Sequence, residues 1–203
     1  MSSMTLPPIA AGFADLVRQV DGPRMMKHLK VFDQWTKHSG TPEELESLKY
    51  VEAEMKQYGF TTELMLHDAY ISLPGKASVT VEGESFSCIA HSFSRSSPTE
   101  GLTAPLVYVG SGDEAGFANK DVKGKIVLVE GIANPAVSRR ASRAGAAGQL
   151  HISPHQYVHE MCISPVWGSP THETVADLPT TVVVTVPLEA GEKIKAKLKA
   201  DAG

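Results

Sequence analysis

The run Ile126-Val127-Leu128-Val129 constrains this chain most. Four consecutive apolar residues leave no polar side to present to water, so a strand built from them must be covered on both faces. Just before it, Asp121-Val122-Lys123-Gly124 reads as a tight turn, with Gly124 supplying the backbone freedom. After it, residues 135–145 carry a helical pattern, with Val137, Ala141 and Ala144 on one side and Arg139, Arg140 and Arg143 on the other. The stretch Ala144-Gly145-Ala146-Ala147-Gly148 leads into a further strand at 149–152, and its small residues let helix and strand approach closely.

The first third reads differently. Phe13, Leu16, Val17 and Val20 follow the helical period, and so do Met26, Leu29, Phe32 and Trp35, which predict a second helix over 23–37 capped by Asp21. Gly40 breaks that helix. Thr41, Pro42 and Glu44 then form the start signal of a third, a capping box with proline in the first turn, and Gly59 is its stop. Residues 60–66 look strand-like. Further strands are expected at 78–81, 87–90, 106–109, 125–129 and 180–186, with turns at Pro74-Gly75, Glu82-Gly83 and Gly110-Ser111-Gly112-Asp113. A last helix spans 188–200, with Leu188, Ile194 and Leu198 on one face. The fold class is therefore α+β (mixed). A helical region fills 1–76, a β-rich domain with flanking helices fills 77–187, and a C-terminal helix fills 188–203.

A length of 203 residues suffices for a sizeable core, and a net charge of −4 with a pI of about 6.1 gives no footprint for nucleic acid. No apolar run is long enough for a membrane span, and the N-terminus lacks a basic region followed by an apolar one, so a cytoplasmic protein is expected, with secretion open if a leader has been removed. The two cysteines, Cys88 and Cys162, are read as separate, half-buried thiols, with a single disulfide as the alternative.

Several residues invite chemistry. His159-Glu160 starts like a zincin motif, but Ile163 stands where the second histidine is required. His151, His155 and His159 are spaced at four, yet Pro154 interrupts and His151 lies on a strand, so hydrogen-bonded or solvated rings are expected rather than a metal site. Arg139, Arg140 and Arg143 offer a cationic patch for a carboxylate or phosphate, or simply the wet face of a helix. Trp167, between Pro165 and Pro170, is an anchor for a partner or a plug for its own domain; large aromatics are mostly buried, which weighs toward the plug. No nucleophile elbow, phosphate loop or dinucleotide fingerprint occurs. His159, Glu160 and Trp167 are the best candidates for a binding surface, with the three arginines as a second patch.

The ordered set Val122-Lys123-Gly124-Lys125-Ile126-Val127-Leu128-Val129, then a helix, then Ala144-Gly145-Ala146-Ala147-Gly148, resembles the protease-associated domain over about residues 105–186. His38-Ser39-Gly40-Thr41-Pro42, with the helix ending at Tyr58-Gly59-Phe60, is similar to the N-terminal region of the zinc-dependent aminopeptidase superfamily, which includes glutamate carboxypeptidase and the transferrin receptor. Residues 159–170 also look like a subgroup of bacterial members. The resemblance implies a noncatalytic accessory module that gates substrates or binds proteins. It also implies that the zinc ligands belong to a peptidase domain none of whose ligand positions matches this chain, so no cofactor is expected within it. The expected partner is a peptide or protein ligand, or a peptidase domain, with self-association possible. The alternative is a portion of an active aminopeptidase whose catalytic domain lies outside this chain, and a third reading is a receptor-like protein without catalysis.

Overall fold

The computed structural model describes residues 11–200, which fall into two compact units, Met1–Leu66 and His67–Gly203. Among the described residues no helix is long and apolar enough to cross a membrane.

The first unit holds α1 (Ala11–Arg18), α2 (Gly22–Phe32) and α3 (Pro42–Gln57). Asp21 caps α2 by accepting the Arg24 N–H at 3.2 Å. The helix stops at Phe32, short of the expected residue 37. The chain tightens there, and the Lys37 ammonium folds back to donate to the Phe32 and Trp35 carbonyls at 2.7 and 2.8 Å, satisfying oxygens that a longer helix would have bonded itself. Thr41 caps α3 as expected, accepting the Glu44 N–H at 3.3 Å, while the Glu44 carboxylate accepts the Gly40 N–H at 2.6 Å, one residue upstream of the usual capping-box partner. His28 and Tyr50 share a hydrogen bond of 2.7 Å, and Phe32 stands edge-on to Tyr50 at 5.5 Å, tying α2 to α3. The strand expected at 60–66 does not form: the segment has no ladder partner, and Phe60, Met65 and Leu66 are exposed.

The second unit opens with an antiparallel hairpin, β1 (Val79–Val81) and β2 (Glu84–Phe86), followed by a short β3 (Ile89–Ala90). Of the strand expected at 87–90 only Ile89–Ala90 forms, and the hairpin strand β2 at 84–86 lies before it, where none was expected. Then come β4 (Leu106–Tyr108), the one-turn α4 (Glu114–Phe117), β5 (Ile126–Glu130), α5 (Pro135–Arg143), β6 (Gly148–Ile152), β7 (Val182–Val186) and α6 (Leu188–Ala200). The last five strands form one sheet in the order β3-β7-β6-β5-β4, parallel except for β3, which runs antiparallel to β7. The mixed α+β class read from sequence holds.

The sheet is covered on both faces, as the apolar run in β5 demands. Val127 and Val129 point to α5, packing with Val109, Val122, Val137, Ala141 and Ala146. Leu128 points the other way, with Leu150, Ile152 and Val186, onto Ile194 of α6, and the hairpin residues Val79, Val81 and Phe86 pack against this second layer. Salt links fasten the rim of that layer: Lys195 pairs with Glu130 and, at 3.1 Å, with Glu192, and Lys197 reaches Glu84 at 3.2 Å.

Gly191 sets how closely α6 lies on the sheet. A Cβ there would stand 2.2 Å from Ile152 Cγ2 and 2.7 Å from its Cγ1, inside the sheet's own packing. Gly191→Ala should therefore cost about 1–3 kcal/mol through overpacking, even though alanine is the better helix former. Urea unfolding of the variant should show a lower midpoint with an unchanged slope. An unchanged midpoint would mean that α6 can lift without loss.

Candidate binding surface

β6 and β7 are joined by a long connection, residues 153–181, whose only helical piece is the 3-10 turn Val175–Asp177. Its two ends of support are buried. Ser153 donates to the Tyr157 carbonyl at 2.6 Å and accepts the His155 N–H at 3.2 Å. Ile163 is fully buried with Ala133 and Val183, and the buried Ser164 hydroxyl accepts the Val166 N–H at 3.1 Å. Between and beyond these anchors the side chains point to water. His155, Tyr157, His159 and Glu160 are exposed, and Trp167 is 93% exposed. The expectation that Trp167 plugs its own domain is therefore overturned. Ser164 and the buried Ile163 fix the backbone just before the tryptophan, and Gly168 turns it away at φ 75°, so the ring has no core to enter. Next to it, the Ser169 hydroxyl accepts the Tyr70 N–H at 2.8 Å, and the Tyr70 ring lies 6.0 Å from that of Phe93.

Under this connection lies a buried polar network on the α5 face of the sheet. The sequence reading anticipated only one of its members, a hydrogen-bonded His151. Residues alternate along a strand, so Leu150 and Ile152 serve α6 while Gln149 and His151 turn to the other face. The His91 ring sits 2.7 Å from the Thr185 hydroxyl through Nε2, and its Nδ1 accepts the Met161 N–H at 3.1 Å. That bond fixes the tautomer: the proton is on Nε2, and the ring donates to Thr185. His151 donates from Nδ1 to the Gly131 carbonyl at 3.2 Å, and its Nε2 lies 3.2 Å from the Gln149 amide, which is 2.7 Å from the Thr181 hydroxyl. With His151 neutral, the network closes when the Gln149 N–H donates to Nε2 and its carbonyl accepts from Thr181; the two amide orientations have the same shape.

Burial holds both rings neutral, and it pushes His91 and His151 down to about 4. The Glu160 carboxylate near His91 and the Gly131 carbonyl at His151 work in the opposite sense without overcoming it.

The three arginines of the helix differ in their surroundings. Arg139 is exposed, Arg140 donates back to the Gly112 carbonyl, and Arg143 lies 3.7 Å from Asp177. His151 is fully buried on β6 whereas His155 and His159 stand in the connection, so the three rings share no helix face. Among the described residues no three His, Cys, Asp or Glu side chains are grouped to hold a metal ion. Cys88 and Cys162 are separate thiols, half-buried and exposed respectively.

The parallel sheet, α5, the small-residue entry to β6 and α6 correspond to a known unit: residues 102–194 match the sequence model of the PA domain. That part of the chain is similar to a PA domain. A probable lipoprotein aminopeptidase of Mycobacterium tuberculosis, LpqL, is 30% identical over 135 residues, covering 61% of this chain and 27% of that protein. The solved aminopeptidase from Aneurinibacillus sp. strain AM-1 superimposes with a TM-score of 0.63 at 26% identity, over 90% of this chain and 42% of its own. The zinc aminopeptidase of Bacillus subtilis shares the fold at 21% identity with a TM-score of 0.51, over 78% of this chain and 37% of its own. The chain thus spans between about a quarter and two-fifths of the length of these relatives. Its PA-like region and the residues before it are similar to part of a zinc aminopeptidase.

The buried histidines give the domain an acid-sensitive stability. Unfolded rings take a proton near pH 6.5 and the folded ones only near 4, so the unfolded state gains protons first and stability falls as pH drops through that window. Each ring contributes about 2–3 kcal/mol of loss by pH 4. Urea midpoints measured from pH 7 to 4 should fall, and His151→Gln should flatten the dependence. An equally steep fall in that variant would mean that His151 does not contribute to the acid sensitivity.

Proposed function

We propose that this chain is a noncatalytic accessory module of a zinc-aminopeptidase-like protein, whose PA domain offers the 153–181 connection as a surface for peptides. The observation that carries the reading is Trp167, a large aromatic left 93% exposed on a connection whose neighbouring residues are firmly anchored. A large exposed aromatic on an anchored backbone is the kind of group that dominates recognition energetics, since it buries much apolar area on binding. Tyr157, His159 and Glu160 extend the same connection with an apolar body, an imidazole and a carboxylate, which suits a peptide with a free amino group. Similarity to aminopeptidases supplies the substrate class.

The chain also presents apolar helix faces. Phe13, Leu16, Val17 and Val20 on and after α1, and Met25, Met26 and Leu29 on α2, are all more than half exposed. Contiguous apolar surface of this kind is rarely left bare, and a peptidase domain or another copy of the chain would cover it. The relatives' greater length favours the peptidase domain. In this reading the activity of the whole protein is peptide hydrolysis at a zinc centre, with the present residues selecting and admitting substrate.

Fluorescence of a Trp35→Phe background, in which Trp167 is the sole tryptophan, tests the surface with the tripeptide Leu-Gly-Gly. A saturable change in Trp167 emission is expected, and Trp167→Ala in the native background should weaken calorimetric binding of the same peptide at least tenfold, about 1.4 kcal/mol. Binding that is unaffected by the alanine variant, or no binding at millimolar peptide, would refute the surface.

A further inference from the structure

The His91 ring stands where three pieces of the domain meet. It follows β3, it donates to Thr185 of β7, and it accepts the Met161 N–H of the long connection. The next residue continues the join: Ser92 N–H donates to the Met161 carbonyl at 3.1 Å, Ile163 N–H donates to the Ser92 carbonyl at 3.2 Å, and the Ser92 hydroxyl donates to Glu160 at 2.7 Å. The connection is thus stitched to the sheet edge at 160–163, and one of the stitches needs a ring nitrogen with a free lone pair. Ile163 is buried in the core, whereas His159, Glu160 and Cys162 lie on the open side, so the stitched segment has water on one face and the sheet on the other.

We propose that His91 is an acid-sensitive latch: its neutral ring holds the 159–162 segment against the sheet edge, and protonation frees that segment while the sheet stays folded. A proton on Nδ1 turns an acceptor into a donor, so it faces the Met161 N–H donor-to-donor and loses the bond. The same proton places a charge in a nearly water-free site, 2% exposed. Three neighbours set how much that costs. On the connection, the Glu160 carboxylate favours the charge. On β6, His151 disfavours it, because it is buried and titrates in the same range. On β7, Thr185 has a hydroxyl that still accepts from Nε2 but carries no charge. Swinging the segment outward lets water reach the ring, whereas opening the sheet would sacrifice the apolar layers on both faces. The segment is therefore the part that yields. The residues freed are His159 and Glu160, on the connection that carries Trp167, so acid would alter the presented surface without unfolding the domain.

Amide exchange by NMR, expressed as protection factors on the full chain at pH 7 and pH 4, tests the latch. The Met161 amide should lose protection about 100-fold between the two, from a ring that protonates near 6.5 when open and near 4 when closed, and at pH 4 its exchange should depend far less on added urea than that of the β5 amides, which exchange by global unfolding. His91→Gln retains one acceptor and one donor but cannot titrate, so its Met161 protection should change less than threefold. An equal urea dependence of exchange at Met161 and β5 in the native chain, unchanged protection at Met161, or the same loss in His91→Gln would each overturn the latch. The first outcome would assign the effect to global acid unfolding. The second would mean that Glu160 neutralises the charge in place. The native-chain comparison stands even if the variant does not fold.

Discussion

The structure depends on covering a parallel sheet from both sides. β5 has no polar face, so α5 must shield Val127 and Val129 while α6 shields Leu128. The short loops and close packing around this requirement explain residues whose chemistry is otherwise silent. Gly191 lets α6 reach Ile152, and Gly112 leaves room for Val137 and Val129 to meet. Arg140 spends its charge on the Gly112 carbonyl, which fastens the turn after β4 to the helix above it. Once both faces are filled, the polar groups that remain inside must satisfy one another, and Gln149, His151, Thr181, His91 and Thr185 do so.

That network links the scaffold to the surface. Its ring nitrogens hold Met161 and Gly131, which are backbone points of the loops after β6 and β5. The 153–181 connection is therefore long but not loose, because Ser153, Met161, Ile163 and Ser164 are all held to the sheet or the core. What it presents, above all Trp167, is positioned by groups that are buried or, at Met161, half-buried. What the connection offers to solvent is an aromatic, an imidazole and a carboxylate, from Trp167, His159 and Glu160.

Much of the frame was legible in the sequence, and for physical reasons. The apolar run in β5, the turn at Gly124 and the small residues before β6 each express a backbone requirement, so they located the PA-like region before any coordinates. The caps at Asp21 and Thr41 and the stop at Gly59 were legible because capping chemistry is local. What was not legible depended on long-range partners. Residues 60–66 have strand-like composition but no strand to pair with. Trp167 has a side chain that statistics place inside, and only the anchoring of Ile163 and Ser164 decides that it stays out. His91 gave no signal, since its acceptor role depends on Met161, 70 positions away in the chain. The alternation of Gln149 and His151 with Leu150 and Ile152 was the one trace of the polar layer that could have been read in advance.

The central claim is that this chain presents and selects but does not itself hydrolyse. The measurement that tests it most directly is zinc titration by calorimetry together with hydrolysis of leucine p-nitroanilide, on the full 203-residue chain in excess zinc. The account predicts no stoichiometric zinc binding and no turnover above the buffer rate. One tightly bound zinc with turnover that is lost on chelation and restored by the metal would contradict it, and would mean that side chains of this chain assemble a catalytic centre.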